Sequence, residues 1–245
     1  MLKVEQGGLF IKMEHIDKVN GTFDRKVQDS AKPAVSAAVI KRLPRYHRYL
    51  GELIAAGRLR ISSAELSKIM SVTASQIRQD LNCFGGFGQQ GYGYNIKYLY
   101  GKISDLLGVN EGYSAVIVGA GNLGRALAST HMFERRGVTR LALFDVDESI
   151  IGTEIYGLKV YSADELFDYC KREGVHIGIL TVPKEAAHST AKTMAAAGVK
   201  GIWNFASTEL TLDDDSVAVE NMHLGDSLMT LCYEIKIRNE DGANG

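Results

Sequence analysis

The sequence has few cysteines, few prolines and no long apolar run. Its 245 residues include three cysteines, none of which forms a Cys-x-x-Cys pair: Cys83, Cys170 and Cys232. An odd number at these spacings argues against a disulfide framework or a structural zinc site and favours buried free thiols. No apolar run approaches the roughly 20 residues of a membrane-spanning helix, and the first residues lack the pattern of a signal peptide. We therefore expect a cytoplasmic protein with no metal site and no membrane segment.

The composition is that of a folded protein with an uneven distribution of charge. Hydrophobic residues make up 45% of the chain and charged residues 23%, which disordered and fibrous chains do not show. Residues 34–105 carry ten Lys and Arg against four Asp and Glu, whereas residues 106–245 carry 12 against 20. A basic segment followed by an acidic one suggests that the first binds a polyanion. A solvated basic surface is the alternative that charge leaves open.

The basic segment predicts a helix-turn-helix. An amphipathic helix is expected after Pro44, because apolar residues recur at helical spacing as far as Gly57. Two capping boxes, Ser62–Glu65 and Thr73–Gln76, then begin two short helices joined by a tight turn. The second helix of such a motif lies in the major groove of DNA. Its outward residues have side chains suited to base edges and phosphates: Ser75, Gln76, Arg78 and Gln79.

A glycine-rich segment follows the predicted helix-turn-helix. Residues 84–94 alternate aromatic side chains with five glycines, a pattern typical of a tight β-ribbon or wing. A glycine-rich loop packed against its own domain is the alternative. Apolar residues at helical spacing from Asn95 to Gly108 predict one more helix, which would close this domain or link it to the next.

The second half of the chain predicts a dinucleotide site. An apolar run over 114–118 indicates a strand buried on both faces of a parallel sheet, and Gly119-x-Gly121-x-x-Gly124 follows at once. Asp145 ends the next predicted strand, 21 residues after Gly124. Glycines at this spacing permit the turn and the approach of a pyrophosphate, and the carboxylate binds the adenosine ribose. Because no arginine immediately follows Asp145, NAD(H) is favoured over NADP(H). A Rossmann turn without ligand is the alternative.

Two further strands are predicted over 175–182 and 200–205, and their carboxyl ends would face the ligand. The residues there are candidates for the nicotinamide end, with core packing as an equal alternative: Thr181, Pro183, Asn204 and Phe205. A water-poor pocket near Phe205 would disfavour the charged ring of NAD⁺ and so favour NADH. After Asp226 an apolar helical stripe has no further domain to cover it, which suits a partner subunit.

These segments together resemble the Rex family of bacterial redox-sensing transcriptional repressors. The resemblance runs from about Val35 to Ile237, and six motifs carry it: Val39–Pro44, Ser75–Arg78, Phe84–Asn95, Gly119–Gly124, Thr181–Pro183 and Lys200–Ala206. It implies an α/β fold, with an N-terminal winged helix-turn-helix domain, a Rossmann-like parallel sheet and a C-terminal dimerisation helix exchanged between subunits. It also implies a homodimer that binds double-stranded operator DNA when NADH is low and is released by NADH.

The resemblance divides the chain and assigns residues. Its divisions are a winged-helix domain at 34–108, a Rossmann NAD(H)-binding domain at 109–224 and a domain-swapped helix and tail at 225–245. Residues 1–33 precede them and have scattered charges without a sustained period, so we expect a mobile leader or an added extension there. The pyrophosphate turn then includes Asn122 and Leu123, and the surroundings of the nicotinamide gain Val182. The DNA contacts gain Arg42, Gln89 and Gln90. Arg48 and His223 are assigned to interdomain coupling.

The sequence departs from the family pattern at several positions. Gln79 stands where lysine is usual and Gln89-Gln90 where basic residues are usual, so DNA affinity or operator choice would change. His223 replaces the common aspartate, and a neutral imidazole cannot form a salt bridge with Arg48. Two further departures replace a proline and a tyrosine: Ser207 and Thr130.

Two other functions are compatible with these patterns. An NAD-dependent oxidoreductase with a helical accessory domain would need a positioned proton donor near the hydride. Four histidines in this half of the chain have no recognisable catalytic partner: His131, His176, His188 and His223. We therefore expect no enzyme activity and no catalytic residue. A sensor of CoA or another nucleotide is the second alternative, since a fold does not fix its ligand.

Overall fold

The computed structural model describes residues 35–82, 88–89 and 93–243. The predicted leader at 1–33 lies outside the described residues, as do Cys83, Gln90 and the side chain of Gln89. The described chain forms a helical N-terminal unit with a three-stranded sheet and a C-terminal unit on a seven-stranded sheet. Each unit has its own buried apolar core. The predicted fold class is confirmed.

Within residues 35–82, 88–89 and 93–106, the N-terminal unit contains four helices and three short strands. In chain order these are α1 (Ala37–Ala55), β1 (Arg60–Ile61), α2 (Ser63–Met70), α3 (Ala74–Asn82), β2 (Gly88–Gln89), β3 (Gly93–Asn95) and α4 (Ile96–Leu106). The strands pair antiparallel in the order β1-β3-β2. The predicted helix-turn-helix is therefore α2 and α3, and the predicted wing is the β2–β3 ribbon.

The first helix begins seven residues before Pro44, so the predicted start after this proline was wrong. Ser36 caps the helix by accepting a hydrogen bond from the amide of Val39. Proline inside a helix removes one backbone donor and is usually a boundary. Here the helix continues because one face is buried on both sides of the proline, at Val39, Leu43, Tyr46 and Leu50. Tertiary packing outweighs the local preference.

The caps of the two following helices differ. α2 has the predicted capping box, in which Ser62 and Glu65 exchange side-chain and backbone hydrogen bonds. At α3 only half of the predicted box forms. Thr73 Oγ1 accepts a hydrogen bond from the backbone amide of Gln76 at 3.1 Å. The side-chain Nε2 of Gln76 donates instead to Oδ1 of Asp80, one helical turn further on, at 2.8 Å.

The C-terminal unit contains seven strands and four α-helices within the described residues. They are β4 (Tyr113–Val118), α5 (Asn122–Ser129), β5 (Val138–Asp145), β6 (Glu154–Ile155), β7 (Leu158–Ser162), α6 (Leu166–Glu173), β8 (Ile177–Leu180), α7 (Lys184–Ala196), β9 (Gly201–Asn204), β10 (Ala218–Asn221) and α8 (Leu224–Ala243). The order in the sheet is β10-β9-β8-β4-β5-β7-β6, and only β6 is antiparallel to its neighbour. β6 and β7 are additional to the strands expected from the sequence.

The sheet is covered on both faces. Along β4, Val116 and Val118 belong to one buried cluster, whereas Ala115 and Ile117 belong to another. Alternate side chains of a strand point to opposite faces, so β4 is buried on both, as its apolar run predicts. The strand order reverses at β4, between β5 and β8, and an open α/β sheet forms its ligand crevice at such a point.

The last helix, α8, is different because six of its large apolar side chains are at least half exposed: Leu224, Leu228, Met229, Leu231, Tyr233 and Ile235. Cys232 on this helix is exposed, so the expectation of a buried thiol is wrong there, whereas Cys170 is buried as expected. Burial raises the pKa of the Cys170 thiol to about 11, so this thiol stays protonated near neutral pH. Across the part of the chain that the structure describes, no helix combines the length and apolarity of a membrane span.

Candidate dinucleotide site and DNA-binding helix

The glycine turn lies at the crevice between β4 and β8. Gly119 has a φ of +100°, and a Cβ there would lie 2.6 Å from the carbonyl oxygen of Thr181. A Cβ on Gly124 would overlap the carbonyl oxygen of Gly119. These two positions need glycine because the backbone of the turn lies directly against β8 and against itself.

Gly121 needs glycine for a different reason. A Cβ there would have no atom of the described residues within 4 Å, so the position faces open space. Gly121 is also the N-cap of α5, and its first turn has no side-chain cap among the described residues. Free amides at a helix N-terminus attract an anion. The open side of Gly121 therefore fits the pyrophosphate of a dinucleotide, which a larger residue would displace.

Asp145, at the end of β5, joins the turn to the neighbouring strand. Its Oδ2 accepts the amide of Ala120 at 2.6 Å, and its Oδ1 accepts the amides of Val146 at 2.7 Å and Asp147 at 3.0 Å. A carboxylate has about four acceptor positions. Three are used, so one is left for a ribose hydroxyl while the carboxylate holds the turn in place.

A cavity of about 480 Å³ lies over this turn, within the usual range for a small-molecule site. Six of the predicted cofactor residues line it: Gly119, Gly121, Asp145, Thr181, Val182 and Pro183. The Thr181 hydroxyl also donates to the carbonyl oxygens of Gly119 at 2.7 Å and Val118 at 3.0 Å. Asn122 and Leu123 begin α5 outside the cavity lining, and Gly124 is buried beneath the turn.

The other two predicted cofactor residues pack within the protein. Asn204 is fully buried, and its Nδ2 donates to the carbonyl oxygen of Thr208 and to Oδ1 of Asn221, both at 2.8 Å. Phe205 is half-buried against Trp203, with ring centroids 4.6 Å apart. Neither lines the cavity. The geometry therefore favours the core-packing alternative for both.

The predicted DNA contacts divide into two groups. Ser75, Arg78 and Gln79 are exposed on α3, and Arg78 donates to the hydroxyl of Ser63 at 3.2 Å. Arg42 and Gln76, by contrast, both donate to the buried carboxylate of Asp80. Sequence reasoning missed Asp80, although its spacing of four residues from Gln76 puts both on one helix face.

The two predicted coupling residues are not brought together within the chain. Arg48 is exposed on α1, with its guanidinium 5.0 Å from the ring centroid of Tyr49. His223 precedes α8, and its Nε2 lies 2.8 Å from Oε2 of Glu209. Glu209 is a partner that the sequence did not indicate.

Comparison with known families gives two matches, one in each unit. A family model described as a CoA binding domain matches residues 110–208. A second, described as a putative DNA-binding protein N-terminus, matches residues 34–82.

Two relatives that are similar to this chain over most of their length have the same name. "Redox-sensing transcriptional repressor Rex" of Clostridium botulinum (strain Alaska E43 / Type E3) is 48% identical over 82% of this chain and 95% of its own. The Rex of Thermoanaerobacter sp. (strain X514) is 50% identical over 84% and 92%.

Solved structures agree with these relatives. The Rex-family repressor RSP in complex with β-NAD⁺ and operator DNA has a TM-score of 0.79 and 47% identity, over 85% of this chain and 96% of its own. RSP in complex with β-NADH has a TM-score of 0.79 and 44% identity, over 86% and 99%. The resemblance read from the motifs is confirmed: the chain belongs to the Rex family of redox-sensing transcriptional repressors.

Proposed function

We propose that this chain is a transcriptional repressor that senses the NADH/NAD⁺ ratio and has no enzyme activity. It binds operator DNA when NADH is low and dissociates from it when NADH binds. The observation that carries the proposal is the open backbone at Gly121 beside the carboxylate of Asp145, in a chain whose N-terminal unit exposes the polar face of α3. The solved complexes of RSP contain β-NAD⁺ with operator DNA and β-NADH, and both ligands suit these sites.

We assign each part of NAD(H) to residues around the cavity. The pyrophosphate lies at Gly121 and the first amides of α5, and Asp145 accepts a hydroxyl of the adenosine ribose. Val182 and Pro183 also line the cavity, and apolar surroundings there would disfavour the positive ring of NAD⁺. The dinucleotide acts as a signal, and its preference for the reduced form comes from this difference in ring charge.

Release from DNA requires that NADH bind one arrangement of the protein better than another. Couplings of this kind are typically about 1–3 kcal/mol, or roughly 5–150-fold in affinity. Residues 34–108 would bind DNA and residues 109–224 the dinucleotide. Residues 225–245, the C-terminal helix with its tail, would be exchanged between two copies of the chain, which would cover the exposed apolar residues of α8. As a regulator of transcription, the protein would act in the cytoplasm.

A homodimer of this kind has a geometric consequence for its operator. Two helix-turn-helix units related by a two-fold axis bind a palindrome with half-sites about one or two helical turns apart. The operator is obtained by selecting fragments of random-sequence DNA with the wild-type protein. This selected fragment is then used in all binding measurements.

The deciding experiment is a fluorescence-anisotropy titration of the selected operator at fixed salt, with NADH or NAD⁺ present. The apparent Kd for DNA should rise at least about fivefold with saturating NADH and less with NAD⁺. Equal DNA affinity with NADH, with NAD⁺ and without either dinucleotide would show that the chain is not a redox sensor.

Two controls identify the ligand. Gly121→Val adds a side chain where a Cβ meets no described atom within 4 Å, so the variant should fold and bind DNA but no longer respond to NADH. The match to a CoA binding domain keeps a CoA sensor as the second candidate. Release of the operator by CoA in place of NADH would establish that alternative. Consumption of NADH with a small carbonyl compound would instead indicate an oxidoreductase.

A further inference from the structure

Asp80 is a fully buried carboxylate on α3 that the proposed contacts with DNA leave unexplained. Its side chain is 0% exposed. The guanidinium of Arg42 on α1 binds it as a fork, with Nε donating to Oδ2 and Nη2 to Oδ1, each at 2.7 Å. A two-point pair of this kind fixes both distance and orientation. Arg42 is 27% exposed, so the pair lies at the edge of the core.

Two further donors complete the acceptor positions of the carboxylate. The hydroxyl of Tyr46 donates to Oδ2 at 2.9 Å, and the Nε2 of Gln76 donates to Oδ1 at 2.8 Å. Each oxygen of Asp80 therefore accepts two hydrogen bonds, which uses all four positions. Burial alone would raise the pKa of Asp80, but the bonds from Arg42, Gln76 and Tyr46 hold it below its usual value. The carboxylate is charged and fully bonded at neutral pH.

These four side chains connect α1 and α3 within about one turn of each helix. Arg42 and Tyr46 lie four residues apart on α1, and Gln76 and Asp80 lie four residues apart on α3, so each pair occupies one helix face. α3 also buries Ile77 and Leu81 in the core. Apolar contacts of that kind are non-directional and allow a helix to rotate or slide by a small amount. The fork at Asp80 is directional and restricts both motions.

We propose that Asp80 is a positioning residue for operator recognition, which fixes the rotation of α3 through Arg42 and so determines where Ser75, Arg78 and Gln79 meet the bases. The proposal rests on the proposed function as a DNA-binding repressor. It also assigns Arg42 and Gln76 to the support of α3. A buried ion pair is weak evidence for stability, because dehydration of the two charges offsets their attraction, so a role in orientation is the stronger reading.

The test compares specific with non-specific DNA binding in the full-length protein. Asp80→Asn keeps the size of the side chain but replaces one acceptor oxygen with an amide donor, which then faces two of the four hydrogen-bond donors around Asp80. The measured quantity is the ratio of the Kd for a scrambled duplex to the Kd for the selected operator, at one salt concentration. The ratio should fall at least about tenfold, the value of one or two base contacts. Non-specific affinity, which depends on phosphate contacts, should change by less than about twofold.

Matched variants separate positioning from a general loss of stability. Glu134→Gln removes the ion pair with Arg140 in the C-terminal unit and should leave the ratio unchanged. Tyr46→Phe removes one bond to Asp80 but keeps the fork, and should lower the ratio less than Asp80→Asn. Arg42→Lys keeps the charge and loses the fork, and should lower the ratio nearly as much as Asp80→Asn.

Each outcome decides the question. A folded Asp80→Asn protein with an unchanged ratio and a lower Tm would overturn the proposal, because Asp80 would then contribute stability alone. Should Asp80→Asn fail to fold, an unchanged ratio in both Tyr46→Phe and Arg42→Lys would overturn it equally. A wild-type protein that binds selected and scrambled DNA alike would overturn the proposed function, and the role of Asp80 with it.

Discussion

The two candidate sites of this chain are held in place by different parts of the polypeptide. At the dinucleotide turn, backbone lies against backbone: Gly119 meets the carbonyl of Thr181, and Gly124 lies over the carbonyl of Gly119. At α3, side chains cross between helices and converge on Asp80. At Gly119 and Gly124 the turn tolerates no added atom, because a Cβ there would meet backbone, whereas a helix held by side chains can be loosened one hydrogen bond at a time. The turn therefore requires glycine at these two positions, and the helix offers several independent points of adjustment.

The largest effect is expected for Gly124→Ala, which tests the backbone fit of the dinucleotide turn. One added methyl group would overlap the carbonyl oxygen of Gly119, so the turn must open. We expect a loss of more than about 3 kcal/mol from the free energy of unfolding of the C-terminal unit, together with loss of NADH binding. Urea unfolding followed by circular dichroism measures it, and Gly121→Ala is the control. Equal stability of the two variants would contradict the strict backbone fit.

The corresponding change in the N-terminal unit is Asp80→Ala. It removes all four hydrogen bonds and leaves Gln76 and Tyr46 without this acceptor, while Arg42 can reach water because it is partly exposed. We expect a loss of about 2–3 kcal/mol, confined to the N-terminal unit. Proteolysis that reports each unit separately checks this. Loss of NADH binding in this variant would show that the two units are not independent in stability.

A smaller effect is expected when the charge of Asp145 is removed and the size of its side chain is kept. Asp145→Asn weakens the acceptor for the ribose hydroxyl and removes the repulsion of a 2′-phosphate. The Kd for NADH should rise about tenfold, the effect of one hydrogen bond to a charged group, and NADPH should bind relatively better. Isothermal titration with both dinucleotides measures the change. An unaltered preference would place the discrimination elsewhere in the cavity.

The smallest effect concerns the cap of α2. Hydrogen bonds from the Ser62 backbone and from Arg58 lower the pKa of Glu65 from 4.5 to about 2. Since the pKa is lower in the folded state, this contribution to stability is complete above about pH 4.5 and is lost as the pH falls toward 2. The Tm of the wild type and of Glu65→Gln should differ slightly at pH 6 and converge near pH 2. A difference that is constant from pH 6 to pH 2 would contradict the assignment.

The elements predicted correctly are those whose pattern is local. The strand before Gly119, the capping box at Ser62 and the wing depend on residues that are neighbours in sequence. The start of α1 was misplaced because Pro44 is a local signal for a boundary, and the packing that overrides it comes from the rest of the core. Asn204 was assigned to the ligand by its place at a strand end, whereas its bonds are to Thr208 and Asn221.

The parallel sheet, the glycine turn with its carboxylate and the predicted DNA-binding helix could be inferred from the sequence, because each depends on spacing along one segment. Which polar residues are available to a ligand depends instead on contacts that the tertiary structure creates. Arg42 and Gln76 are bound to Asp80, and His223 lies against Glu209. Whether a donor faces solvent or another side chain depends on what lies opposite it, and the partners here are 38 and 14 residues away for Arg42 and His223.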